Sequence, residues 1–321
     1  MRTSTLLASA VLATFPAAAF AQTMTMTSAV TLGFASSTID AGGGDVDVST
    51  MSLDFESDTM FGPNFNLGLD FGITQSDFDL GGGFDLQVDL MSLAIEPSYR
   101  FGNGGYIGVY YRMGDLDVSL PFIPITFGVD TRNYGIFGGY ENGPLWVEGF
   151  VGTSDLDPGL PAGIDIMDYG IAASYDVAPN WEVFGSVTRT DIDTGGGFDI
   201  DLTNISLGTE YGFANGLSVY GSVGRTDIGT PAPFNIDATD FTLGLAYDLG
   251  QGGSGVPVSL NLELSRTTLD LGPIGSTDID RIGLGVTIPL GGGSAPAPLN
   301  SRTSAARGDY RSAIGQLVGT F

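Results

Sequence analysis

The sequence predicts an all-β chain closed into a transmembrane antiparallel up-and-down β-barrel. About 14 strands are expected, within a range of about 12–16, with short periplasmic turns and longer extracellular loops. Three observations carry this reading. From Met26 to Leu290, apolar residues alternate with Gly, Ser, Thr, Ala, Asn, Asp or Glu at a period of two, as in strands with one apolar and one polar face. The breaks between these runs are short and long in strict alternation. The short ones read "FGNGG" (101–105), "YENGP" (140–144), "VAPN" (177–180) and "FANG" (213–216), and the long ones include "QSDFDLGGGFDLQVD" (75–89) and "TDIDTGGGFDIDLT" (190–203). Third, the runs follow an export signal.

Composition removes several function classes. The chain has 321 residues, 37 acidic against 11 basic, and a net charge of −26, which disfavours nucleic acid as a partner. Every basic residue is Arg, and His and Cys are absent, so no imidazole base, thiol nucleophile or thiolate zinc site can exist. No cofactor is expected. Paired carboxylates such as Asp191 and Asp193 recur at most hairpins, so they do not single out an acid/base site, and the chain is read as a non-enzyme. The phrases "GGGDVDV" and "GGGFDID" resemble calcium-binding β-roll repeats, but those recur in tandem every nine or so residues, whereas these lie a hairpin apart.

Residues 1–21 read as a signal peptide: Arg2, an apolar stretch from Leu6 to Ala19, and the small-x-small end "AFA". Residues 22–290 form the barrel. Its outward rows begin with Val30, Leu32 and Phe34, then Met51, Leu53 and Phe55, then Phe65 to Ile73, Met91 to Ile95 and Ile107 to Met113. They continue through Tyr134 and Ile136, Leu145 to Val151, Tyr169 to Tyr175, Val183 and Val187, and Ile205 to Phe213. The last four rows are Leu217 to Val223, Phe241 to Leu249, Val256 to Leu264 and Ile282 to Leu290. A sandwich would use shorter strands, and a propeller has four short strands per blade without this loop asymmetry.

The segment "IEPSYRFGNGGYIGVYYRMGDLD" (95–117) resembles the strand–turn–strand units of Gram-negative outer-membrane porins, especially those of alphaproteobacteria. The resemblance covers about residues 26–290 and rests on pattern, with no diagnostic motif. It implies a cell outer-membrane location, contact with membrane lipid and lipopolysaccharide, and insertion by the barrel assembly machinery. Porins usually end on their last strand with a terminal aromatic. This chain ends in Phe321, but its last clear strand stops near Leu290.

Side-chain parity then assigns the faces. Asp54, Asp70, Glu96, Arg100, Arg112, Glu148, Glu182, Glu210, Asp240, Glu263 and Arg281 are expected to line the pore, with Glu56 and Asp168 on the same face. Small residues should fill the rest of the lumen. Charged rings tune ion selectivity, so this acidic interior predicts a cation preference. At the long-loop end the pattern inverts: Asp77, Asp79, Asp115, Asp117, Asp191, Asp193, Asp199, Asp201 and Asp227 fall in phase with the lipid-facing row. Ile192, Phe84, Phe198, Ile200, Leu202 and Ile279 fall in phase with the lumen. The strands are therefore expected to continue above the bilayer as an extracellular rim, apolar inside and charged outside. The alternative is a bulge shifting parity in every strand. Outward Arg132, Arg189, Arg225 and Arg266 sit at the changeover, as Arg–Asp surface pairs or as contacts to lipopolysaccharide phosphates.

Two segments stand apart. "DVSLPFIPITFGVD" (117–130) is apolar, and could fold into the pore, cap the rim or meet a partner. Residues 291–303 read as a linker and 304–321 as a periplasmic C-terminal tail, with a short helix carrying Arg307 and Arg311. A basic tail beside an acidic lumen also raises partial plugging. The function expected is an outer-membrane channel for passive diffusion of small hydrophilic solutes and ions. The alternatives are a transporter or binder of hydrophobic small molecules, or a structural or adhesive barrel. The solute, and whether the barrel is a homo-oligomer, stay open.

Overall fold

A computed structural model describes residues 24–40, 44–81, 85–120, 125–157, 164–194, 199–229, 236–250, 257–290 and 298–318. The signal peptide, Phe84, Phe198, the 121–124 tip and Phe321 lie outside the described residues. Fourteen strands close into one antiparallel barrel in which each pairs with its sequence neighbours and the first with the last. They are β1 (Met24–Asp40), β2 (Asp45–Phe61), β3 (Phe65–Asp79), β4 (Asp85–Arg100), β5 (Gly105–Leu120), β6 (Ile125–Asn142) and β7 (Leu145–Asp157). The circuit continues with β8 (Asp165–Ala178), β9 (Trp181–Asp193), β10 (Ile200–Gly212), β11 (Leu217–Gly229), β12 (Ile236–Asp248), β13 (Ser259–Asp270) and β14 (Ser276–Pro289). Closure leaves no sheet edge, which a bilayer requires because lipid offers backbone groups no hydrogen bonds. No described helix is long and apolar enough to cross a membrane, so the crossing is made by strands.

The outward face marks where the lipid sits. Leu207, Phe34, Val109, Ile171 and Leu284 project from it as exposed apolar side chains. Tyr99, Phe101, Tyr175, Trp181, Tyr211 and Phe213 form an aromatic girdle at the short-turn end. A second girdle contains Tyr134, Tyr169 and Phe241, with Tyr169 opposite Arg189 and Phe241 opposite Arg266. From Trp181 to Arg189 the strand climbs roughly 26 Å at ~3.3 Å per residue. With a tilt of ~40° that is roughly 20 Å along the axis, close to the apolar band of outer-membrane barrels.

Above the second girdle the faces exchange chemistry. Val48, Ile166, Leu202 and Ile279 are buried inward, while Asp47, Asp77, Asp79 and Asp193 are exposed. The pairing runs through this zone in constant register, and among the described residues the one register shift lies between Asp176 and Ala178 at the opposite end. The inversion therefore comes from a change of solvent along continuous strands, and the repeated-bulge reading is set aside. Most of each long Gly- and Asp-rich stretch is paired strand. β9 reaches Asp193 and β10 resumes at Ile200. The same holds for 117–130: β5 and β6 stay paired up to Leu120 and Ile125, so among the described residues this stretch is wall and not a free segment.

Candidate functional site

The inward rows bring the expected pore-lining residues together in groups. On β3–β5, Arg112 donates to Glu96 at 2.9 and 2.7 Å and reaches Asp70 at 3.5 Å. Asp54 on β2 accepts the Ser52 hydroxyl at 2.9 Å. Glu148 on β7 accepts the Tyr106 hydroxyl at 2.9 Å. Glu182 and Glu210 face one another in register across β9 and β10. Asp240 accepts the Thr267 hydroxyl at 2.6 Å, and Arg281 donates to Glu263 at 3.1 Å. Asp168 is fully buried and accepts from Asn133, Ser154 and Thr190. Arg100 stands apart near the short-turn end, on Glu141 at 2.6 Å.

The lumen also carries large rings that the small-residue expectation omitted. Tyr106, Tyr110 and Phe137 form a buried cluster backed by Trp146 and Phe150, and Phe184 and Tyr220 lie buried further round the wall. Each of these rings other than Trp146 has a glycine directly opposite on the adjacent strand. Tyr106 faces Gly139, Tyr110 Gly135, Phe137 Gly108, Phe150 Gly170, Phe184 Gly208 and Tyr220 Gly244. A Cβ at Gly244 would stand 2.1 Å from the Tyr220 ring. The glycine lets the ring lie flat on the wall, which helps explain the 50 glycines in the sequence. The readable signal was an aromatic on the lumenal phase with Gly at the paired position.

The C-terminal segment is the largest departure from expectation. The structure places residues 298–318 inside the barrel, as the partial plugging raised from the sequence would have it, and not apart from it as a linker and periplasmic tail. Leu299 donates its N–H to Thr31 at 3.2 Å, Ser301 its hydroxyl to Glu263 at 2.5 Å, and Arg302 donates to Thr267 at 3.0 Å. Helix α1 (Ser304–Arg307) follows and lies against β8–β11. Gly308 ends it at φ 84, with Ala172 so near that a Cβ would meet it at 2.3 Å, so both the left-handed backbone and the wall demand glycine. After Arg311, α2 (Ala313–Val318) begins, and the Ala313 N–H bonds Thr190 at 2.9 Å.

Two arginines pin this segment. Arg307 bridges Glu182 at 2.7 Å and Glu210 at 2.6 Å. Arg311 bonds Glu148 and reaches Glu96 at 2.8 Å, so Glu96 is shared with Arg112 of the wall. Small spaces of about 30 and 10 Å3 remain between the segment and the β10–β14 side. Toward β2–β7 a cavity of about 740 Å3 stays open. Its lining includes Asp54, Glu56, Asp58, Asp70, Glu96 and, from the segment, Asp309 and Tyr310. The sequence reading had omitted Asp58, Arg302, Asp309 and Tyr310. Asp58 continues the inward phase of Asp54 and Glu56 by one step, so parity could have found it.

Comparison with known proteins agrees with this architecture. A family model described as Gram-negative porin matches residues 92–231, from β4 to just past β11. No curated protein matches the chain. Among solved structures, an anion-selective porin from Comamonas acidovorans superposes with a TM-score of 0.52 at 13% identity, covering 84% of this chain and 100% of its own. A loop L8 deletion mutant of OmpT, an outer-membrane protein of Vibrio cholerae, gives 0.50 at 10% identity, with 83% and 99% covered. The CymD monoaromatic hydrocarbon channel gives 0.50 at 12%, with 84% and 89% covered. At such identities the likeness shows the fold alone. The chain is thus a closed, lipid-facing β-barrel of the outer-membrane type, and its central strands, residues 92–231, are similar to the Gram-negative porin family.

Proposed function

We propose that the barrel is a passive channel for small hydrophilic solutes and ions, cation-preferring, whose path runs through the acidic cavity beside the inserted segment. The observation that carries this is the charge around that cavity. Asp54, Glu56, Asp58, Asp70, Glu96 and Glu148 line it from the wall against Arg100 and Arg112, and Arg311 is engaged by two of those carboxylates. Glu56 and Asp58 are exposed to the open space. Fixed negative charge along a narrow path concentrates cations and repels anions. The sign follows from this chain's own residues, since the neighbour described as anion-selective shares only the fold. The test is the reversal potential of the refolded mature chain in a planar bilayer under a salt gradient. Cation selectivity is expected; anion selectivity, or a closed bilayer under all conditions, would overturn the reading.

A second reading, capture of hydrophobic molecules, draws on the inward apolar collar of Val48, Ile166, Leu202 and Ile279. Those side chains are buried and do not line the open cavity, so transport of hydrophilic solutes is favoured. Apolar compounds recovered with the purified protein would reverse that preference. We assign the protein no catalytic step.

A further inference from the structure

Arg311 and Arg307 sit in two pockets of the same design. The Arg311 guanidinium spans Glu148 and Glu96, and its carbon lies 4.9 Å from the centre of the Phe137 ring and 5.4 Å from that of Phe150. The Arg307 guanidinium spans Glu182 and Glu210 and stands 4.0 Å over the Phe184 ring. Each pocket offers two carboxylates to a forked donor and an aromatic face to a planar cation. That is the chemistry of guanidinium recognition. An ammonium has no fork and is more strongly hydrated, and among the described residues no cluster of three or more acidic side chains is placed to hold a metal ion.

Everything in these pockets except the guanidinium belongs to the barrel wall. The rings are fixed by the glycines opposite them, and Tyr106 holds Glu148 from the side. The pockets are thus built by the strands and filled by the segment. The Arg311 pocket also borders the open cavity, whose lining includes Glu96, Glu148 and Arg311 itself. The helix that ends in Arg307 and the one that follows Arg311 have four and six residues, too few to persist without the wall.

We propose that these wall pockets are guanidinium subsites of the permeation path, occupied in cis by Arg307 and Arg311. A free solute bearing a guanidinium group, of the arginine or agmatine class, then competes with the inserted segment for them. The inference rests on the channel reading only for its place on the path, because binding itself can be read without conductance.

The test uses the full mature chain in detergent micelles, with Arg311→Ala emptying one pocket. Trp146, packed against the aromatic cluster, reports by fluorescence in a Trp181→Phe background. A tethered arginine acts at an effective concentration near millimolar, so methylguanidinium should bind Arg311→Ala at least about tenfold more tightly than the arginine-containing parent. Methylammonium and sodium chloride at equal concentration should give no saturable signal, and adding Glu148→Gln should abolish the methylguanidinium response. Where Arg311→Ala does not migrate as a folded barrel, Arg311→Lys keeps the charge and stem, loses the fork, and should still bind more tightly than the parent. An equal response to all three solutes, or none in either variant, would overturn the proposal and leave Arg311 as an anchor. Specific binding in a barrel that never conducts would sink the channel reading alone. Conduction with no guanidinium-specific binding would sink this inference alone.

Discussion

The arginines at the outer rim and those in the lumen use the same chemistry to different ends. Arg225 bonds Asp227 at 2.7 Å and Asp237 at 3.0 Å, and Arg266 bonds Asp280 at 2.6 Å, with the arginine side chains 58% exposed. Arg311 and Arg307 also bridge carboxylates, yet their side chains are 8% and 24% exposed. The rim partners are two residues away or on the paired strand, so strand register supplies them without further design. Glu96 is 215 residues from Arg311 and Glu182 is 125 from Arg307. No register provides those contacts, and they position a whole segment. The energetic weight should follow the same division, because exposed pairs are screened by solvent and salt while a buried one leaves an uncompensated charge when broken.

The largest effect should come from Arg311→Ala. Losing one partner of a dry buried pair costs ~3–5 kcal/mol, and the neighbouring cavity should reduce that here. The main consequence is a segment no longer pinned to Glu96 and Glu148. Single-channel conductance should rise by roughly twofold or more as the open section widens. An unchanged conductance would mean that the remaining contacts of Ser301, Arg302 and Arg307 suffice, and would erase the contrast with the rim.

Next is the wall that supports the pockets. Gly244→Ala drives a methyl into the Tyr220 ring, which is 1% exposed and has little room to move. Overpacking of this kind costs ~1–3 kcal/mol, so the unfolding midpoint should fall. Gly149→Ala is the control, since its Cβ would meet nothing closer than 3.5 Å. Equal shifts for the two would show that strand propensity, and not the ring, sets the cost.

Much of this molecule was legible because two solvents impose a period of two. The outward rows, the strand number and the exchange of faces at the rim all follow from asking which side chain meets lipid, water or lumen. The 117–130 stretch stayed open between folding inward, capping the rim and meeting a partner, because its prolines and apolar residues hid the strand pairing that persists to Leu120 and Ile125. The inserted segment was only partly legible. "GGGSAPAP" has the composition of a linker, and the destination of Arg307 and Arg311 depends on contacts across the barrel that no local pattern encodes. The surplus of inward carboxylates was the available hint, since unpaired charge in a narrow lumen seeks a counterion. The rings over glycines were written in the sequence, but only as a cross-strand pattern that needs the register.

A smaller effect should follow from Glu56→Gln with Asp58→Asn. Both carboxylates face the open cavity and lie outside the arginine pockets. The double variant should keep its stability and shift the reversal potential part of the way toward zero. A full loss of selectivity would place the filter at these two residues, and no shift would move it to the carboxylates already bound by arginine.

The smallest effect is expected at the rim, from Arg225→Ala. Its partners Asp227 and Asp237 are partly exposed and remain hydrated when the arginine is gone. Neither the unfolding midpoint nor the conductance should change measurably. Lipopolysaccharide recovered with the purified protein should also be unaltered, because the guanidinium is already committed to carboxylates of its own sheet. A fall in recovered lipopolysaccharide would show that Arg225 exchanges Asp237 for a lipid phosphate in the membrane. The rim would then resemble the lumen in one respect: its arginines, too, would be holding something other than the barrel.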